Sequence, residues 1–389
     1  MGKTYDVIII GAGIMGVMSA YKLAGAGKSV LVLERKDTCS GAGGGSNGVL
    51  SWCSKQPGFH RQLFMRSWAG FHELEEELGD IGMHWKSGSV TLAESEFEMD
   101  YVRRTAAEAE IPEGFSMEVL DNRQTLELEP NVRPDILGSL YAPDVGFTEL
   151  FTFVFALLWG AKARGAEFLN ETEVLDLIRQ DSRILGVRTS RGDFYGGTVV
   201  NCAGYYGGQV AAMAGLKLSI EPRRGQTVVC QQTRPIIFHN LYSSLYNVVK
   251  YHPELIQDEQ VRKSGVNFTL HQSENGSIYI SGSREMVGYD VRTDNDVIRL
   301  IVEGAIERMP CLKDVLILRT FAGLRPFTED GLPMVGAIDG LDGFFMCAGH
   351  EGDGVALAPV SGQIVCDMLT KGYTDTIDIT PLSPMRFLR

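Results

Sequence analysis

The first 34 residues show the clearest pattern of apolar and polar positions in the chain. Tyr5–Ile10 is a short apolar run suited to a buried parallel strand, Ile14–Ala26 has the apolar repeat of a helix, and Ser29–Leu33 is a second apolar strand. Further on, Arg61–Leu78 reads as an amphipathic helix. Residues 84–144 are mixed, with strand-like pieces at Ser89–Leu92 and Gly138–Tyr141 and a charged helical stretch near 96–110. The pattern predicts a long helix over Thr148–Ala163, with Thr148 as N-cap and Gly165 as terminator. Short strands follow at 167–169, 173–180, 184–189 and 198–202. From Pro222 to Leu318 the character changes. Strand-like segments (Gln226–Gln231, Val266–His271, Ser277–Ser283) alternate with turn residues, as in an antiparallel sheet, and Asp296–Met309 reads as a helix. Glycines return from Phe321, ahead of an apolar helix at Val355–Leu369.

This order predicts an α/β fold, α+β overall, in which a Rossmann-like domain is interleaved with an antiparallel-sheet domain. The expected boundaries are 1–80, 146–220 and 320–389 for the nucleotide-binding domain and 81–145 and 221–319 for the substrate domain. A chain of 389 residues is long for one hydrophobic core, which agrees with two domains.

The opening strand–helix–strand unit has a complete dinucleotide-binding pattern. Gly11, Gly13 and Gly16 stand at G-x-G-x-x-G spacing between the strand and the helix, and Glu34 ends the second strand. Gly11 allows the tight turn, Gly13 lets backbone N–H groups approach a pyrophosphate, and Gly16 lets helix and strand pack closely. Glu34 is placed to accept hydrogen bonds from a ribose 2′-OH and would repel a 2′-phosphate, so FAD or NAD is favoured over NADP. Gly43, Gly45 and Gly48 share the spacing but follow no apolar run, and they read as a glycine-rich loop.

Composition narrows the function classes. A formal net charge of −13 without any Lys/Arg-rich run argues against nucleic acid or an anionic membrane surface as the main partner. No apolar stretch approaches the ~20 residues of a transmembrane helix, and the chain enters a strand too early for a signal peptide. Seven scattered cysteines with no C-x-x-C pair encode no metal site, iron–sulfur cluster or disulfide frame. A reducing cytoplasm is the expected setting.

Several further segments carry a resemblance. They are N-C-A-G (201–204), P-R-R-G-Q (222–226), G-S-R-E-M-V-G-Y-D (282–290), A-G-L-R-P-F-T-E-D-G-L-P-M-V-G (322–336) and A-G-H-E-G-D-G-V-A-L-A-P (348–359). With G-A-G-I-M-G, Glu34 and G-S-N-G (45–48), they make the chain resemble the D-amino-acid oxidase family of flavoproteins nearly end to end. It is most similar to the branch that holds glycine oxidase, sarcosine oxidase β-subunits, D-hydroxyproline and opine dehydrogenase subunits, and the C subunit of hydrogen cyanide synthase. The resemblance implies FAD, and a substrate oxidised at a carbon–nitrogen bond by hydride transfer to flavin N5, giving an imine. The substrate class is a small amino or imino acid of glycine, sarcosine, D-proline, D-hydroxyproline, D-amino acid or opine type.

The resemblance also assigns roles to residues. Cofactor contacts fall on Gly11, Gly13, Ile14, Met15 and Gly16, and on Glu34 and Arg35 after the second strand. They continue with Gly45, Ser46 and Asn47 in the glycine loop, Val174 beside the adenine, and Ala203 and Gly204. In the last third they fall on Gly323, Gly349, Glu351, Gly352 and Gly354, where a helix start would face the electron-rich edge of the flavin. Arg325, in what reads as a glycine- and proline-rich turn, is the candidate catalytic residue. It matches the family's carboxylate-binding arginine, and a planar guanidinium can grip a carboxylate with two parallel hydrogen bonds. Tyr246, Tyr251, Tyr289 and Asp353 are candidates for the substrate pocket. His350 reads as a structural histidine making loop hydrogen bonds, with a catalytic role as the alternative.

Some sarcosine-oxidase relatives attach flavin to a cysteine in the segment that here reads A-G-L-R-P. No cysteine lies in residues 320–330, so the expectation is non-covalent FAD. Two rival readings stand beside the amine oxidoreductase. One is a 2-hydroxy acid or glycerol-phosphate dehydrogenase on the same fold. The other is an electron-relaying flavoprotein subunit in a hetero-oligomer, whose iron–sulfur or flavin centres would come from partner subunits.

Overall fold

The computed structural model describes residues 3–251 and 253–388, apart from the side chains of Tyr251 and Pro253. The apolar strand Thr4–Ile10 sits inside an eight-stranded sheet, paired in parallel with Val30–Leu33 on one side and Gly192–Asn201 on the other. Leu341–Ala348 extends the parallel set beyond Gly192–Asn201, and Glu167–Leu169 closes the opposite edge. The central strands are buried on both faces, which explains why they read as continuous apolar runs. The helix Ile14–Gly25 covers one face, packed against Leu150–Ala163 and Gly354–Lys371. That packing is close. A β-carbon on Gly362 would run into Met18, and one on Gly70 of the helix Phe59–Leu78 would come within 2.8 Å of Pro359.

A second eight-stranded sheet runs in the order Ile317–Phe327, Glu221–Gln232, Ser277–Ser281, Thr269–Gln272, Asn240–Ser243, Ser89–Ala93, Gly138–Ala142, Glu118–Asp121. All its neighbouring strands are antiparallel except Asn240–Ser243 and Ser89–Ala93. Its apolar face packs on the helix Asn295–Arg308. Three short strands, Val49–Leu50, Gly146–Thr148 and Met83–His84, form a small sheet of their own.

Two local expectations need correction. Thr148 does not cap the long helix, because the small sheet claims it. Its N–H bonds the Gly48 carbonyl at 2.9 Å, it pairs with Met83, and Glu149 stands at the N-cap instead. Gly323–Pro326 is not a turn but part of the 11-residue strand Ile317–Phe327, paired along its length with Glu221–Gln232. That strand is the sheet's edge, where a proline removes no ladder hydrogen bond. The mixed stretch before residue 144 also holds a helix, Asn122–Leu128. Its start is fixed by a reciprocal capping box between Asp121 and Gln124.

Candidate active site

One long cleft starts at the carboxyl ends of the parallel strands and runs toward the second sheet. Its first wall is main chain. Gly11 has φ +101°, and a β-carbon there would lie 2.7 Å from the Cys202 carbonyl oxygen, so only glycine fits the turn. A β-carbon on Gly16 would collide with the Gly11 carbonyl, whereas one on Gly13 would meet nothing within 4 Å. Gly16 therefore packs inside the motif, and Gly13 leaves space open in front of the helix N-terminus. No side chain caps that terminus, so its N–H groups remain to be satisfied by a ligand.

Glu34 closes the wall. One carboxylate oxygen accepts from the Ala12 N–H and the other from the Lys36 N–H, both at 2.9 Å, which fixes the carboxylate at the cleft edge. The Arg35 guanidinium lies 3.8 Å from the Tyr206 ring, and Val174, Ala203 and Gly204 line the same end. On the opposite side the glycine loop crosses the edge strand of the second sheet. A β-carbon on Gly45 would sit 2.9 Å from the Gly323 α-carbon, so two backbones meet here without side chains. Ile14, Met15, Ser46 and Asn47 line the cleft with them. This is a cradle for an extended dinucleotide with a ribose near Glu34 and a pyrophosphate before Gly13. The residues present fit FAD.

The far end of the cleft is a buried, charged chamber. The turn Glu351–Asp353 enters it just ahead of the helix Gly354–Lys371, with Gly352 and Gly354 on the cleft wall. Glu351 holds φ +48°, a conformation that costs a non-glycine residue on the order of 1 kcal/mol. Its carboxylate is paired with Arg223, which also lies over the Phe327 ring. Asp353 is gripped by Lys55 at 2.6 Å and Lys250 at 3.1 Å, and His60 Nε2 stands 3.4 Å away. Burial would raise both carboxyls, but the surrounding cations win. Arg223 leads at Glu351 and Lys250 with Lys55 at Asp353, and both acids are held well below the usual range.

Arg325 reaches the chamber from the edge strand, and its guanidinium donates to the Ser283 carbonyl at 2.9 Å. The missing side chain of Gly225 makes its room, since a β-carbon there would collide with the guanidinium. Burial, then the neighbouring Arg284 charge, brings the Arg325 pKa down to about 10, so it is protonated at neutral pH. Arg284 lies over the Tyr246 ring at 4.7 Å, and Tyr242 packs edge-on against Tyr246. His350 is turned away, with Nε2 3.0 Å from Ser361 Oγ. Burial pushes its pKa down to about 3 against the opposing pull of Asp353.

The structure thus brings Tyr246, Asp353, Glu351 and Arg325 together. Tyr289 is elsewhere, stacked on Tyr206 beside Arg35, and the Tyr251 side chain lies outside the described residues. Gly16 and Gly349 do not line the cleft. A β-carbon on Gly349 would press on Thr328 at 2.6 Å. Lys55, His60, Tyr242 and Lys250 carried no local signal in the sequence. Arg223 and Arg284 lay within the segments P-R-R-G-Q and G-S-R-E-M, where a charge among small strand residues was the available clue. Among the described residues no acidic, histidine or cysteine cluster is arranged to hold a metal ion, and no helix is long and apolar enough to cross a membrane.

Comparison with known proteins agrees with this geometry. The FAD dependent oxidoreductase family (DAO) matches residues 6–368, and the chain belongs to that family. Glycine oxidase of Geobacillus kaustophilus (strain HTA426) is 28% identical over 397 residues, covering 100% of this chain and 98% of the relative. Hydrogen cyanide synthase subunit HcnC of Pseudomonas aeruginosa is 27% identical over 430 residues, covering 100% and 97%. Among solved structures, L-proline dehydrogenase from P. horikoshii superposes with a TM-score of 0.86 at 26% identity, over 100% of this chain and 99% of the other. The chain is an FAD-dependent oxidoreductase, and homologous amino-acid oxidases and dehydrogenases share its fold.

Proposed function

We propose that this family member oxidises the C–N bond of a small amino or imino acid whose α-carboxylate is held by Arg325. The observation that carries the reading is a protonated guanidinium in a closed chamber at the flavin end of the cleft, with Gly225 left bare to make room for it. The substrates named for the glycine oxidase and proline dehydrogenase relatives support the same class. FAD, held along the cleft by the Gly11–Gly16 turn and Glu34, would supply the acceptor for the hydride leaving the α-carbon. The chain's own contribution is placement. Arg325 fixes the carboxylate, Tyr246 and Tyr242 wall the chamber, and the ion pairs around Glu351 and Asp353 set its potential. His350 stays neutral and bonded to Ser361, so it supplies no acid–base step.

FAD is held without a covalent bond in this reading. Cys347 lies in the cleft, but its hydrogen bond with Cys202 and its burial push the thiol well up, away from a nucleophilic thiolate. The division into a cofactor domain (1–80, 146–220, 320–389) and a substrate domain (81–145, 221–319) belongs to the same reading. The two eight-stranded sheets support it.

The test is anaerobic mixing of holoenzyme with glycine, sarcosine, D- and L-proline, D-hydroxyproline, opines and matched 2-hydroxy acids. Bleaching of the flavin by an amine is expected, and bleaching by hydroxy acids alone would overturn the reading. Arg325→Leu should retain FAD and lose roughly 10²-fold in kcat/KM through the lost charge-assisted hydrogen bonds. Gly225→Ala, which displaces the guanidinium without removing it, should weaken substrate binding in the same direction.

A further inference from the structure

Arg325 stands among charges of its own sign. Its ladder partner on the neighbouring strand is Arg223, and like charges directly opposite in a sheet repel. Burial first, then Arg284, lower the Arg325 pKa, and Arg223 adds to them. Arg223 has the Glu351 carboxylate to answer it. The acceptor for Arg325 is instead a neutral main-chain oxygen, the Ser283 carbonyl, at 2.9 Å. A neutral acceptor aims the guanidinium without cancelling its charge, which stays available to a carboxylate ligand. It can aim only if the peptide that carries it is held still.

The back of the sheet supplies that hold. Side chains alternate along Glu221–Gln232, so Arg223 and Gly225 face the chamber while Arg224 and Gln226 point the other way. There the buried Glu285 carboxylate accepts four hydrogen bonds. Arg224 donates two, at 2.6 and 3.2 Å, Gln226 Nε2 one at 2.7 Å and the Ser283 hydroxyl one at 3.0 Å. The Ser283 hydroxyl in turn accepts from the Gln226 N–H at 3.0 Å. Gln226 Oε1 accepts from the Asp294 N–H at 2.8 Å, at the start of the helix Asn295–Arg308. Two main-chain bonds, 2.8 and 2.9 Å, join Arg224 to Glu285, and Arg284 N–H bonds the Ser264 carbonyl at 2.8 Å. Two of the segments that marked the sequence, P-R-R-G-Q and G-S-R-E-M-V-G-Y-D, thus meet in one buried network behind the arginine of a third.

We propose that Glu285 is a positioning residue for substrate binding. With Arg224, Gln226 and the Ser283 hydroxyl, its carboxylate fixes the Ser283 carbonyl that aims Arg325 at the substrate carboxylate. Glu285 lies outside the lining of the cleft and touches neither substrate nor flavin. Its role rests on the carboxylate-binding function proposed for Arg325 and runs entirely through that residue.

Two measurements on the holoenzyme test this. In the first, propionate, an unreactive carboxylate, is titrated against the flavin spectrum. Four donors face the Glu285 carboxylate, and the amide of Glu285→Gln must set its own NH2 against some of them. That variant should keep its FAD and bind propionate roughly fivefold or more weakly. Ser283→Ala leaves the Arg224–Glu285 pair intact, should weaken binding by about threefold, and decides the matter alone if Glu285→Gln fails to fold. A propionate affinity that neither variant changes, with stability lost in urea unfolding, would make the network merely structural and overturn the assignment. So would a parent protein that binds no propionate. In the second, kcat/KM is measured for whichever amine bleaches the flavin. Glu285→Gln should lower it in the parent but change it by less than about twofold in Arg325→Leu, because the effect passes through Arg325. Equal losses in both backgrounds would overturn the positioning role and leave the C–N oxidation reading standing. If the variants weaken propionate binding as expected but no amine bleaches the flavin, the positioning role stands and the oxidation reading falls.

Discussion

The two ends of the cleft hold anions by different means. At the end formed by Gly11–Gly16 and Glu34 the main chain does the holding. Amides at a helix start face open space, and even the one carboxylate is fixed by two backbone N–H groups. At the other end the groups are long side chains, five cations and two acids, drawn from six separate parts of the chain between Lys55 and Asp353. A main-chain site is sensitive to shape, because its donors cannot move aside when a side chain intrudes. A side-chain site is sensitive to charge balance, because its members can shift but cannot leave water at no cost. Substitutions should therefore fail for opposite reasons at the two ends.

The largest effect is expected at the main-chain end. Gly16→Val would drive a branched side chain into the Gly11 carbonyl, where neither backbone segment can yield. It should cost more than about 4 kcal/mol and give colourless or insoluble protein, read by flavin absorbance and urea unfolding. Gly13→Ala is the control that sharpens the contrast. Its new methyl meets no protein atom, so the fold should stay within about 1 kcal/mol while FAD occupancy drops. A Gly16→Val protein with full flavin content would show that shape is not what this end depends on.

The charged end should lose less, through balance and not through collision. Asp353→Ala leaves Lys55 and Lys250 buried without their shared counter-ion. A loss of about 3–5 kcal/mol is expected on urea unfolding of the holoenzyme. Asp353→Asn, which keeps the shape and removes the charge, should show most of the same loss. If the Asn variant were as stable as the parent, packing and not charge would govern this end too.

The same contrast explains what the sequence disclosed. The main-chain end was legible because its parts are local. Strand, glycine spacing, helix and Glu34 fall within 30 residues, and backbone recognition leaves its mark as glycines where a β-carbon cannot fit. The charged end was legible only at Arg325, Tyr246, Glu351 and Asp353, because its ion pairs join residues 298 and 128 positions apart. Glycine and proline at 323–326 pointed to a turn, yet the edge of a sheet tolerates both, so the strand was hidden by its own exceptions. Thr148 was a plausible cap until a three-stranded sheet, invisible in short segments of two or three residues, used its backbone. Tyr289 shows the limit of reading aromatic residues in one dimension. It lies 5 residues after Arg284 and yet stacks on Tyr206 beside Arg35 at the main-chain end.

A pH dependence is expected at the charged end. His350 begins the turn that carries Glu351 and Asp353, and burial holds its pKa at about 3 against 6.5 for an ordinary histidine. The folded state therefore refuses a proton that the unfolded state accepts between those two values. The stability tied to neutral His350 is fully present above pH 6.5 and is lost as pH falls toward 3, by up to about 1.4 kcal/mol per pH unit. In His350→Gln the amide can still bond Ser361 and no proton is taken up. The parent and variant should keep a constant stability difference above pH 7 in urea unfolding, and the variant should gain on the parent below pH 6. Parallel curves down to pH 4 would mean that His350 is protonated in the fold.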